Sequence, residues 1–206
     1  MNVVNIRKSR ARGYHHGALA ETMVEQALAD VRLRGAEQLS LRAVAQAVGV
    51  SPGASYNHFA DKDALLRAVG ECGVAAMDER MARVLAAHPG TDAQSACDRL
   101  EGLGRAYMNF AIEEPHLFRL VFGPICTGQE KRGDRSGPYG KLVDALDELD
   151  ALGVLRPGVR PGLDVTIWSA THGTATLMVE GRLPLEAGDG FLSSILQLIL
   201  IDEARP

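Results

Sequence analysis

Cysteine is scarce in this chain: Cys72, Cys97 and Cys126 are three in 206 residues, odd in number and far apart. That excludes a disulfide framework and a Cys-x-x-Cys metal site, and it fits a reducing compartment. Long apolar runs are missing too. No stretch reaches the 18 residues of a membrane-spanning helix, and the arginine-rich N-terminus is not followed by the hydrophobic region of a signal peptide. A soluble, cytoplasmic chain with no membrane partner is expected. There is no Gly-x-Ser-x-Gly elbow and no phosphate-cradling glycine loop, and no local spacing pairs a cysteine nucleophile with His116 or His172 as base. Neither an enzyme nor a cofactor is expected, and His15 and His16 have no third ligand nearby to make a metal site.

A net positive charge is also lacking. Lys and Arg number 22 against 26 Asp and Glu, which leaves −4 and argues against a general nucleic-acid binder. The balance is uneven, however. Residues 1–70 hold 9 basic and 6 acidic side chains, or +3, so residues 71–206 carry 13 against 20, or −7. The positive end is where a nucleic acid would be met.

What is present is helical periodicity over a chain that is 46% hydrophobic, enough to fill a substantial core. Leu19, Met23, Val24, Ala27, Leu28 and Val31 line one face of a first helix that Gly35 ends. Ser40 can cap a short second helix with Leu41, Val44, Ala45 and Val48 inward, and Gly49 supplies the left-handed residue that stops it. Ser51 caps again, Pro52 takes the first helical position, and a third helix runs to about Phe59. Asp61 can cap a fourth, long helix that persists to His88-Pro89-Gly90 and links two domains. Beyond it, residues of roughly 92–122 and 138–153 read as helices, separated by a polar, glycine-bearing stretch from Thr127 to Gly137 that is expected to be mobile. Two last segments, about 161–180 and 189–203, are apolar on more than one face. No convincing strand is found, and no internal repeat.

Two short helices joined through Gly49 and braced by a first are the makings of a helix-turn-helix, whose second helix enters the major groove. The stretch Leu39 to Leu66 resembles the TetR-family signature almost throughout. The matching pieces are Leu41-Arg42-Ala43-Val44-Ala45, Val48-Gly49-Val50-Ser51, Tyr56-Asn57-His58-Phe59, Asp61-Lys62 and Leu65-Leu66. The resemblance implies that Tyr56, His58 and Lys62 contact phosphates and that Phe59 packs inward. The small residues Pro52, Gly53, Ala54 and Ser55 let a helix N-terminus press close to a phosphate. Asn57 can offer a bidentate edge to adenine, Ser55 can serve several bases, and Ala54 can lie against a thymine methyl. Ser40 is chiefly a cap, although its hydroxyl can touch the DNA backbone, and Arg42 can reach a phosphate from the same turn. Ser40, Arg42, Ser51, Gly53, Ala54, Ser55, Tyr56, Asn57, His58 and Lys62 form the expected DNA-binding set. Ahead of them Arg7, Lys8, Arg10 and Arg12 make a basic arm that either slides into a minor groove or merely solubilises.

Farther on, Tyr107-Met108-Asn109-Phe110-Ala111, Glu114-Pro115-His116-Leu117-Phe118 and Trp168-Ser169-Ala170-Thr171-His172-Gly173 resemble the regulator C-terminal domain named for its Trp, His and Gly. Trp168 and His172 stand four apart on one helix face, where their ring nitrogens can orient a ligand in an apolar pocket. Tyr107, Phe110, Phe118, Phe122 and Met178 would supply its walls. The alternative is that Trp168 and His172 only pack, the histidine satisfied by a neighbouring hydroxyl or carbonyl. In the last two segments Val165, Leu177, Phe191, Ile195, Leu198 and their neighbours exceed what one core-facing stripe requires. Pairing both helices with their symmetry mates gives a homodimer, which the resemblance also implies, and presents two recognition helices to a roughly palindromic double-stranded operator.

The expected architecture is all-α, with about nine helices. A three-helix helix-turn-helix domain over residues 1–65, residues 1–13 being the basic arm, precedes a larger helical domain over 66–206 that binds a small ligand and dimerises. What the resemblance implies is a ligand-responsive DNA-binding regulator, a repressor by family expectation. The competing reading is a helical small-molecule carrier or scaffold without DNA binding.

Overall fold

The computed structural model describes residues 11–126 and 135–204, with side chains from residue 18 onward. The cations Arg7, Lys8 and Arg10, the Arg12 side chain, and the polar stretch over 127–134 lie outside the described residues. Among those described, nine α-helices follow one another: α1 (Ala11–Arg34), α2 (Leu41–Ala47), α3 (Pro52–Tyr56), α4 (Lys62–Ala87), α5 (Ala93–Glu113), α6 (Pro115–Val121), α7 (Gly137–Ala151), α8 (Leu163–Val179) and α9 (Ala187–Ile199). A short 3-10 turn, Asp202–Ala204, is the last described element.

Local chemistry sets most of these boundaries. Met23, Ala27 and Val31 bury the inner stripe of α1, and Gly35, with φ +84, turns the chain away from it. Side-chain oxygens of Ser40, Ser51 and Asp61 accept from the backbone N–H groups of Ala43, Ala54 and Ala64 at 3.4, 3.3 and 2.7 Å, so α2, α3 and α4 each begin on a true cap. Asp92 does the same for α5, accepting from the Ser95 N–H at 3.0 Å.

Three boundaries differ from the sequence reading. The α-helical part of α3 ends at Tyr56, and Asn57 and His58 close the next turn by tighter bonds to the carbonyls of Ala54 and Ser55, at 3.2 and 3.0 Å. The segment over 92–122 is two helices. Pro115 has no N–H to continue the ladder and its ring would clash with the preceding turn, so α5 stops at Glu113 and Pro115 opens α6. The last helix stops at Ile199 rather than near 203, because Leu200 turns extended and pairs antiparallel with Leu155 in an isolated bridge. Backbone bonds from Arg156 N–H to Ile199 O, 2.8 Å, and from Ile201 N–H to Val154 O, 3.0 Å, hold that pairing. The Arg156 guanidinium also donates to the carbonyls of Leu200 and Gln197 at the helix end.

Helix α5 is the centre of the C-terminal part, packed on α4, α6, α7, α8 and α9. Gly73 lets α6 lie close on α4, since a Cβ there would stand 2.6 Å from Val121 and 3.0 Å from Leu117. Arg99, buried on α5, clasps three elements at once. It forks onto Glu148 of α7 at 3.1 and 2.5 Å and donates to the carbonyls of His88 and Gly90, which follow α4.

Candidate functional site

The turn between α2 and α3 depends on Gly49. Its φ of +76 is open to glycine at little cost, and the bonds Val48 N–H to Val44 O and Val50 N–H to Ala45 O seat the turn on α2. This geometry leaves Ser40, Arg42, Ser51, Gly53, Tyr56 and Asn57 exposed, with Ala54, His58 and Lys62 half-buried beside them. Tyr56 is 59% exposed, which a core aromatic would not be. Phe59 packs on the core, as the motif implies.

Two members of the expected set do something else. Ser55 is fully buried, and its hydroxyl donates to the Pro52 carbonyl at 2.7 Å. It steadies α3 from inside and cannot serve a base, which corrects the sequence reading. Lys62 donates from Nζ to the Glu37 carbonyl at 2.8 Å, fastening the α1–α2 loop to the start of α4. An ammonium has three protons, so this bond leaves capacity for a phosphate.

In the C-terminal part the expected ligand walls separate into two groups. Tyr107 OH and His172 Nδ1 are 2.8 Å apart. The His172 ring stacks on Phe118 with centroids 5.4 Å apart and meets Phe122 edge-on at 5.0 Å. Trp168 stands edge-on to Tyr107 at 5.1 Å and to Tyr139 at 5.4 Å. These rings fill one another's space, and the histidine takes a tyrosine hydroxyl as partner. Burial holds the His172 pKa below its ordinary value of 6.5, so the ring folds neutral. As pH falls from about 6.5 the unfolded chain takes up the proton first, and stability contributed by the neutral ring is lost toward the lower folded pKa. The urea midpoint should therefore drop more between about pH 7.5 and 5.5 in the natural chain than in His172→Gln.

Phe110 lies outside this cluster, its ring under the Arg80 guanidinium at 5.4 Å. Met178 is buried against Gly188 of α9. An apolar recess lies instead between α5, α7, α8 and α9, bordered by Leu103, Gly104, Tyr107, Leu142, Trp168, Thr171, Phe191 and Ile195 among others. Of the seven residues expected to bind a ligand, Tyr107 and Trp168 border it, whereas Phe110, Phe118, Phe122, His172 and Met178 do not. The sequence reading missed Gly104 and Thr171. Glycine inside a helical pattern was the available signal: a Cβ on Gly104 would lie 2.5 Å from Leu192, so its absence lets α9 approach α5.

Burial raises the thiol pKa of Cys72, Cys97 and Cys126, which keeps all three protonated and poor nucleophiles. Among the described residues no group of His, Cys, Asp or Glu could hold a metal ion, and no helix is long and apolar enough to cross a membrane.

Residues 24–69 match the family model of bacterial regulatory proteins, tetR family, and residues 100–197 match that of the tetracyclin repressor-like C-terminal domain. The curated proteins hold no match. Among solved structures, a protein of unknown function from Rhodococcus sp. RHA1 superposes with a TM-score of 0.74 at 26% identity, over 92% of this chain and 100% of that one. SmeT, the repressor of the Stenotrophomonas maltophilia multidrug efflux pump SmeDEF, gives 0.61 at 20% identity over 90% and 92%, and its triclosan complex matches as well. RolR in complex with resorcinol gives 0.63 at 15% identity over 94% of each chain.

Proposed function

This chain belongs to the TetR family of bacterial regulatory proteins, and we infer from that premise that it is a homodimeric repressor whose operator affinity is set by a small molecule in its C-terminal domain. Family membership makes it a DNA-binding transcription regulator and not an enzyme. The division proposed is a DNA-binding domain over residues 1–65 and a ligand-binding and dimerisation domain over 66–206, with α4 continuous across it.

One observation carries the reading: Ser51, Gly53, Tyr56 and Asn57 are exposed from the cap of α3 to its end, and Ser40 and Arg42 are exposed at the start of α2, from which Gly49 sets α3 off. Tyr56, His58, Arg42 and Lys62 would hold phosphates, while Asn57 and Ala54 would read bases. The exposed apolar side chains Val165, Leu177 and Leu198 on α8 and α9 support dimerisation through those helices. The resorcinol complex of RolR and the triclosan complex of SmeT support a small-molecule role for this domain. Ligand and operator would then oppose each other reciprocally, as linkage requires.

A gel-shift titration on DNA upstream of its own gene, with random DNA as competitor and at two salt concentrations, tests this. The expected result is a discrete, competitor-resistant complex of two protomers per site that weakens with salt. Lys62→Ala should weaken binding to every sequence and lower the slope of log K against log salt by about 1. Asn57→Ala should instead cost about tenfold on the operator and little on random DNA. Equal losses on both would remove Asn57 from the readout group, and failure against a randomised library would leave a helical carrier.

A further inference from the structure

We propose that the recess between α5, α7, α8 and α9 is a binding site for a neutral, mainly apolar molecule bearing one hydroxyl, and that Thr171 is the residue that recognises that hydroxyl. The proposal rests on the reading that this domain binds a small molecule, and gives that molecule its place and chemistry.

Three polar or charged residues are buried among those described: Ser55, Arg99 and Thr171. The first two are satisfied, by the Pro52 carbonyl and by the Glu148, His88 and Gly90 oxygens. Thr171 is 6% exposed and its hydroxyl makes no hydrogen bond among the described residues. The usual escape for a helical threonine is its own helix backbone, and on α8 Thr166 and Thr176 take it, donating to the carbonyls of Gly162 and His172 at 3.1 and 2.8 Å. Thr171 does not. Among the described residues no sealed side-chain oxygen or nitrogen lacks a partner, so the Thr171 hydroxyl must face open space. Thr171 lines the recess, which is the open space its hydroxyl is proposed to face.

The walls set the rest of the chemistry. Leu103, Leu142, Ile167 and Leu196 are apolar and buried, so the body of the ligand must be apolar. Charge is disfavoured at the rim. Glu101, the one carboxylate there, is paired with Arg105 at 2.7 Å, and Arg105 is also paired with Asp189 of α9. Among the described residues that line the recess no other charged side chain is placed to meet a charged ligand. The recess is narrow, well below the free volume of an open small-molecule site. Only about 30 Å³ of it is clear of the walls, room for a water or two. Entry therefore requires wall movement, and the half-buried Trp168, Phe191 and Ile195 are the side chains able to give way.

Trp168 is the single tryptophan of the chain and stands on the wall, so its emission reports occupancy. The test titrates the full chain with cyclohexanol and, separately, with methylcyclohexane, neither of which absorbs where tryptophan does. A saturable emission change is expected with both. Thr171→Val should weaken cyclohexanol by about fivefold to tenfold, the worth of one hydrogen bond, leave methylcyclohexane unchanged, and be rescued by Thr171→Ser. His172→Gln should leave both titrations as they were. The proposal is overturned if neither probe gives a saturable response up to its solubility limit. It is equally overturned if His172→Gln abolishes binding while Thr171→Val does not, since the ligand would then sit among the packed rings. The DNA titration needs no ligand, so the two readings fail separately: a chain that binds operator without answering the probes keeps its regulatory function and loses this site, and the reverse result does the opposite.

Discussion

Arg99→Ala is expected to lower the unfolding free energy by about 3 kcal/mol, read as a drop in the urea midpoint followed by circular dichroism at one fixed protein concentration. The guanidinium is nearly sealed from solvent, with 9% of its side chain exposed against 35% for Glu148. Removing it leaves a carboxylate partly desolvated and frees the carbonyls of His88 and Gly90 where α4 gives way to α5. The penalty sits at the lower end of that for breaking a buried pair because water can still reach Glu148. Two companions locate the cause. Arg99→Lys keeps the charge but cannot fork, so it should recover part of the loss, and Glu148→Gln should cost less than Arg99→Ala, since an amide can still accept. If Arg99→Ala moved the midpoint no more than a surface substitution does, about 0.5 kcal/mol, the clasp would not be holding α4, α5 and α7 together.

Leu198→Glu should turn the protein from a dimer into a monomer at micromolar concentration, read by light scattering behind size exclusion. Leu198 is 63% exposed on α9, and Val165 and Leu177 on α8 are 58% and 40% exposed. In the proposed two-fold interface every substitution counts twice. Each copy would lose the burial of a leucine, about 1.5–3 kcal/mol, and would also have to desolvate a carboxylate. Operator affinity should fall with the mass, because a monomer reaches only one half-site. Leu152→Glu, on the exposed end of α7, should leave both unchanged. A dimeric mass for Leu198→Glu would move the interface elsewhere.

Features fixed by a few neighbouring residues were legible in the sequence. Caps at Ser40, Ser51 and Asp61, the stops at Gly35 and Gly49, and the long α4 all follow from bonds that close within four residues. The break at Pro115 was written in the sequence as well, yet apolar periodicity continues through it, because α6 buries Leu117, Phe118 and Leu120 as a prolongation of α5 would. Contacts across the fold were not legible. Nothing near Lys62 announces its bond to Glu37, 25 residues earlier, and Ser55 reads as a surface hydroxyl until the chain folds it against Pro52. The ligand walls illustrate the same limit. Spacing placed Trp168 and His172 on one face of α8, but the rings that face meets, Tyr107, Phe118, Phe122 and Tyr139, are brought there from α5, α6 and α7 only by the fold.

The two ends of α9 are fastened unequally. At its C-terminal end, backbone bonds of the Leu155–Leu200 bridge and the Arg156 guanidinium hold the chain. At the other end α9 is held on α5 by side-chain packing, Gly188 against Met108 and Leu192 at Gly104, and the Arg105–Asp189 pair, in which Asp189 is 70% exposed, adds little. A rod pinned at one end and loosely latched at the other moves as a pendulum. Pressure from a filled recess would thus appear as a swing growing toward Ala187, largest at the latch and smallest at Ile199. Amide exchange along α9 should show that gradient, with Phe191 and Leu192 losing protection before Leu196 and Ile199.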